Sequence, residues 1–128
     1  FSTQDVSGNF VWVFGGIIDT SLVGCDYVVE SQLPMETNGY TWYRKYKSGW
    51  VEQGGKSSAG TGTGAKNITL PIEFSDNNYV VVLTSSAGSS DNSYNNSCWV
   101  STRETTSFTY YNGNNSMSYN PYWLAIGY

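Results

Sequence analysis

The sequence predicts an all-β domain, a sandwich or barrel of short strands, on three observations. Apolar residues recur with a period of two, and no window carries a convincing helical period. The apolar helix formers are scarce: Ala, Leu and Met number 4, 5 and 2, while Ser, Thr, Asn and Gly together make up 56 of 128 residues. Glycine and asparagine dipeptides separate the apolar runs at the spacing expected of turns between strands.

The elements follow in chain order. Residues 1–39 are less regular, with apolar runs at Phe10–Phe14 and Tyr27–Val29. They read as an N-terminal extension that packs on the domain or on a neighbouring subunit. The domain itself is expected over residues 40–128. Tyr40–Lys47 and Trp50–Gln53 flank Ser48-Gly49, a two-residue hairpin signal. Asn38-Gly39 and Asn112-Gly113 are further turn signals. Gly54–Ala65 is glycine-rich and reads as a mobile loop. Ile68–Phe74 is the cleanest half-buried strand, with Ile68, Leu70, Ile72 and Phe74 on one face. Pro71 cannot donate to a ladder, which makes that strand an edge or gives it a bulge. Tyr79–Leu83 is apolar on both faces, as in a strand buried on both sides or facing another subunit. Ser97–Arg103, Thr105–Tyr111 and Tyr122–Tyr128 complete the set. In the second of these, Thr106, Phe108 and Tyr110 oppose Ser107 and Thr109.

Composition removes whole classes of function. A 16% aromatic content against 12% charged residues argues for a folded chain. There is no histidine, which removes Ser-His-Asp and Cys-His catalysis and nearly every zinc site. A net charge of −4 weighs against a nucleic-acid partner. The longest apolar run, Phe10–Ile18, falls far short of a bilayer span, so no membrane insertion is expected. The glycine-rich stretch lacks the Gly-Lys-Ser/Thr ending of a phosphate loop. Asp91–Asn96 lacks the glycine and glutamate of a calcium loop and reads as a solvated turn. Glu30, Glu36, Glu52, Glu73 and Glu104 share no motif, and Glu52, beside Arg44, Lys45 and Lys47, suits a cross-strand ion pair. No catalytic residue, metal or cofactor is therefore expected. Cys25 and Cys98 are either two buried free thiols or one long-range bridge. A chain that opens on Phe1 reads as a fragment or a processed product.

The positive signal lies in aromatic and amide side chains gathered near the turns. Tyr94, Tyr110, Tyr111, Tyr119 and Tyr122 stand among Asn92, Asn95, Asn112, Asn114, Asn115 and Asn120. Tyrosine offers a flat apolar face with a polar tip, and asparagine a donor and an acceptor on a short stem. A sugar presents the matching needs, an apolar C–H face and many hydroxyls. The alternative is that Tyr and Asn merely dress the turns of a β protein. Trp42, Trp50, Trp99 and Trp123 fall in strands, which favours packing over ligand stacking. Arg103 could grip an acidic sugar through two N–H groups, or pair with Glu104.

Two stretches carry a resemblance. Trp42-Tyr-Arg-Lys-Tyr-Lys-Ser-Gly-Trp-Val-Glu-Gln-Gly-Gly55 is similar to the hairpin that opens the C-terminal tip domain of many bacteriophage and prophage tail-fibre proteins. Those domains close on Trp-x-Ala-x-Gly-Tyr, and this chain ends Trp123-Leu-Ala-Ile-Gly-Tyr128. Ile68–Phe74 followed by Tyr79–Thr84 is similar to the family's central strand pair. The resemblance spans residues 40–128 and leaves residues 1–39 outside.

It implies a small antiparallel β-sandwich knob, a homotrimer at the fibre tip of a virion. Such a knob would lie outside the host cell and bind bacterial surface polysaccharide, lipopolysaccharide or capsule, without enzymatic activity. The expected ligand contacts are Tyr94, Trp99, Arg103, Tyr110, Tyr111, Asn112, Asn114 and Tyr119. The rival readings are a carbohydrate-binding module of a secreted protein, a structural trimerisation cap, and a polysaccharide depolymerase.

Overall fold

The computed structural model describes residues 25–58, 63–84, 98–112 and 120–128, and the backbone of 10–13 and 16–19. Among them are ten strands: β1 (Phe10–Val13), β2 (Gly16–Asp19), β3 (Val28–Gln32), β4 (Trp42–Tyr46), β5 (Val51–Lys56), β6 (Gly64–Thr69), β7 (Val80–Thr84), β8 (Cys98–Glu104), β9 (Ser107–Asn112) and β10 (Tyr122–Gly127). A 3-10 turn covers Glu36–Asn38. Every pairing is antiparallel. β1 and β2 form a hairpin, β3-β4-β5-β10-β7 a five-stranded sheet, and β6-β9-β8 a three-stranded one. The all-β expectation holds, and β3 adds an edge strand from the segment before residue 40.

The larger and smaller sheets face each other across one core. Val51, Tyr79, Trp123 and Ala125 meet Ile68, Phe108 and Tyr110, with Leu70 and Phe74 from the connection after β6. Phe108 and Trp123 touch edge to face at 5.6 Å, and Phe74 stacks on Tyr79 at 4.1 Å. Three polar contacts tie the halves together. The Ser57 and Tyr110 hydroxyls share a buried hydrogen bond of 2.9 Å. The Tyr79 hydroxyl is shared between the carbonyls of Glu104 (2.9 Å) and Ser107 (2.8 Å). Buried Gln53 grips the Ile72 peptide from both sides: its Nε2 donates to the carbonyl at 2.8 Å, and its Oε1 accepts the N–H at 3.2 Å.

Several local expectations are corrected. The Ser48-Gly49 hairpin has a three-residue loop: Tyr46 N–H bonds the Trp50 carbonyl, and Gly49, at φ 95°, bonds the Tyr46 carbonyl. Glycine there avoids the left-handed strain of a side-chain residue. The supposed loop at Gly54–Ala65 is part strand, because β5 runs on to Lys56 and β6 starts at Gly64. Both glycines of β5 answer to tryptophans. A Cβ at Gly54 would lie 2.9 Å from the Trp42 ring, and one at Gly55 would lie 3.3 Å from the Trp123 indole.

The strand read at Ile68–Phe74 ends at Thr69. Pro71 has no N–H for the ladder, although Ile68, Leu70 and Phe74 are buried as the alternation requires. β7 is an outer strand with Val80 and Val82 exposed, so it is not buried on both faces within this chain. Glu52 stands opposite Arg44 in register, yet its carboxylate accepts the Tyr46 hydroxyl at 3.2 Å and forms no ion pair with the arginine. Cys25 and Cys98 form no disulfide bridge, and the first is exposed and the second half-buried, so they are not both buried.

Candidate functional site

Strand alternation builds one conspicuous surface on the outer face of the small sheet. In β9, Phe108, Tyr110 and Asn112 turn inward, which leaves Ser107, Thr109 and Tyr111 outside. Trp99 of β8 stands opposite Tyr111. A bulge between Val100 and Thr102 then restores the phase, so that Thr102 opposes Thr109. On the other side of β9, β6 places Ala65 opposite Tyr111 and Asn67 opposite Thr109.

The result is an aromatic row beside a row of hydroxyls and an amide. Trp99 and Tyr111 stack with ring centroids 5.0 Å apart and planes 22° apart, yet remain 49% and 39% exposed. Stacking of this kind contributes about 0.5–1.5 kcal/mol beyond burial and holds the two rings as one platform. Thr109 Oγ1 donates to Asn67 Oδ1 at 3.4 Å, and Asn67, itself exposed, keeps its NH₂ donors for other partners.

β6 is the edge of its sheet, and beyond it the surface drops into a cleft of about 280 Å³. Thr41, Lys56, Ser58, Asn67 and Thr69 rim it, with Ile68 and Trp123 also in its lining. Lys56 Nζ sits 5.5 Å from the centre of the Tyr122 ring, a cation–π distance. Platform, amide row and cleft thus run together through Asn67. The chemistry available is stacking on an apolar ring face and neutral hydrogen bonding, with one cation at the far end. Among the described residues no three His, Cys, Asp or Glu side chains converge to hold a metal.

The expected contacts divide. Trp99 and Tyr111 are brought together and exposed. Tyr110 is wholly buried, and this corrects its place among the ligand contacts: its ring is core, and its hydroxyl bonds Ser57. Asn112 is corrected likewise, being 4% exposed and flanked in register by Gly64 and Cys98. Arg103 lies at the opposite end of β8 from Trp99, where its Nε donates to the Asn77 carbonyl at 3.3 Å. Tyr94, Asn114 and Tyr119 lie outside the described residues. Asn67, Thr109, Thr102 and the cleft residues are new to the site. Their signal is the alternation Ala65, Asn67, Thr69, visible once β6 is read as a strand.

Residues 45–128 match the family described as "Putative tail fiber protein gp53-like, C-terminal". Two solved structures share the fold. One is the P. aeruginosa R2 pyocin fibre comprising C-terminal residues 323–691, with a TM-score of 0.57 and 18% identity over 85% of this chain and 28% of that one. The other is an N-truncated R2-type pyocin tail fibre, with the same TM-score and identity over 85% of this chain and 41% of that one. The chain therefore spans well under two thirds of either fibre fragment. No curated protein matches it.

Proposed function

We propose, from the premise that the chain belongs to the gp53-like tail fibre C-terminal family, that it is the fibre tip that adsorbs to bacterial surface polysaccharide, lipopolysaccharide or capsule. The single observation that carries this reading is the exposed Trp99–Tyr111 platform, flanked by Asn67 and Thr109. The exposed ring surface of this stacked pair suits the C–H face of a sugar, and the amide and hydroxyls suit its OH groups. Adsorption is by binding, with no covalent step, and the tip acts outside the cell as part of a virion or a phage-tail-like particle.

The tip works as a homotrimer. Val80, Val82, Tyr122 and Leu124 are 37–55% exposed on neighbouring strands β7 and β10, an apolar patch of the kind that marks protein contact. Three weak sites on one fibre also gain avidity on a repetitive surface.

The test is a pull-down of labelled protein on bacterial strains with and without their outer polysaccharide. Binding should be strain-selective and vanish with the polysaccharide. Trp99→Ala and Tyr111→Ala should abolish it while the protein stays folded, with a melting temperature lowered only by the lost stacking and burial. Normal binding by both variants would move the site elsewhere. Shortened polymer after incubation would make the protein a depolymerase, and trimers that bind no cells would make it a structural cap.

A further inference from the structure

A second recess opens on the larger sheet, at its β3–β4 margin. Gln32, Leu33, Pro34, Trp42 and Arg44 line about 250 Å³. Its wall is built firmly. Leaving β3, the chain turns through Pro34 into the 3-10 turn, where Asn38 Nδ2 donates to the Leu33 carbonyl at 2.8 Å and Asn38 Oδ1 accepts the Met35 N–H at 2.9 Å. Gln32 is held back by its neighbour, because its Nε2 donates to the Thr41 carbonyl (3.0 Å) and Oγ1 (3.1 Å). The Trp42 ring is seated against Gly54.

One charge lines this recess, and it is unmatched. Arg44 is exposed, and its register partner Glu52 is engaged by the Tyr46 hydroxyl. No carboxylate among the described residues pairs with the Arg44 guanidinium. In a chain of net charge −4 with two arginines, an exposed guanidinium without a carboxylate partner, beside a half-buried indole, leaves its N–H donors open to an acidic ligand. Trp42 and Arg44 are two residues apart on one face of β4, about 7 Å along the strand. That is the span of one sugar ring with an acid group on its rim.

We propose that this recess binds a carboxylate-bearing sugar of the uronic-acid type. The guanidinium takes the carboxylate through two parallel N–H bonds. The indole meets the ring's C–H face, and Leu33 and Pro34 close the side. The inference rests on the adsorption reading for its choice of a glycan, but its residues are separate from the Trp99–Tyr111 platform.

The test titrates the whole chain with trigalacturonate and with its uncharged methyl ester. Affinity is read by calorimetry and the Arg44 Nε–H by ¹⁵N NMR. Saturable binding that shifts the Arg44 signal is expected. It should weaken roughly tenfold or more in Arg44→Gln and for the ester, as loss of a charge-assisted pair requires, and it should be unchanged in Trp99→Ala and Tyr111→Ala. Equal binding of acid and ester, unchanged binding by Arg44→Gln, or no saturable binding would each overturn the proposal. Loss in Trp99→Ala alone would assign the acid to the platform. A changed sedimentation coefficient in Arg44→Gln, without trigalacturonate binding to the wild type, would make the recess a contact between copies. Strain pull-down by Trp99→Ala reports on the adsorption reading independently, so the two fail separately.

Discussion

The Trp42 indole is packed so closely on Gly54 that a Cβ there would sit 2.9 Å from two of its ring carbons and 2.9 Å from the Trp123 carbonyl oxygen. The ring can swing away, but the carbonyl belongs to the β5–β10 ladder and cannot. Gly54→Ala should therefore cost about 1–3 kcal/mol, as overpacking does. The urea midpoint of unfolding, followed by tryptophan fluorescence, measures it. An unchanged midpoint would mean that the ring is not seated there.

Burial pushes the Tyr79 phenol up to about 12, although the nearby Arg103 draws it partly back. A raised acid favours the neutral form in the fold. Its contribution is full below the ordinary phenol range near pH 10 and is lost as pH rises towards 12. Melting temperature measured from pH 8 to 12 should fall more steeply for the wild type than for Tyr79→Phe, which starts lower for lack of its hydrogen bond but has no proton to lose. Parallel curves would show that the phenol does not couple to folding.

Ser57 and Tyr110 share a hydrogen bond between the two halves of the sandwich. Tyr110→Phe and Ser57→Ala should each cost about 1–3 kcal/mol, because each leaves a buried hydroxyl short of a partner. The double variant should cost less than the two together. A coupling of about 0.5 kcal/mol or more in a double-mutant cycle is the expected result, and additivity would remove the bond from the account of stability.

Gln53→Leu keeps the bulk and strips both hydrogen bonds from the Ile72 peptide. The expected loss is roughly 1–3 kcal/mol. It should be accompanied by faster hydrogen exchange at the Ile72 amide, because Gln53 anchors the connection that follows β6. Slow exchange at Ile72 in that variant would show that the connection is held by other contacts.

What the sequence disclosed, and what it hid, follows from the range of the forces involved. Alternation is local, and it already places Phe108 and Tyr110 on one face; Asn112 continues the same phase inward. Tyr110 and Asn112 resemble ligand contacts only through the composition of the neighbouring loop, which that phase overrides. Val80 and Val82 show the converse, since apolar character alone does not say whether a second layer covers a strand. The two glycines of β5 resemble loop residues because their reason for being glycine, the rings of Trp42 and Trp123, arrives from other strands. Trp99 and Tyr111 were separately visible as candidates, but their register across the β8–β9 turn makes them one platform.

β10 lies between β5 and β7, strands made long before it. During synthesis the larger sheet therefore cannot close as it emerges. The earlier strands must wait, apart, for a segment that the ribosome delivers last among them, and long-range pairing of this kind is the slow kind. A message or protease that cuts the chain before Tyr122 leaves β5 and β7 with bare edges, open to pairing with other chains. Strand order thus makes the larger sheet all-or-none: it is complete only when Tyr122–Gly127 is present between β5 and β7.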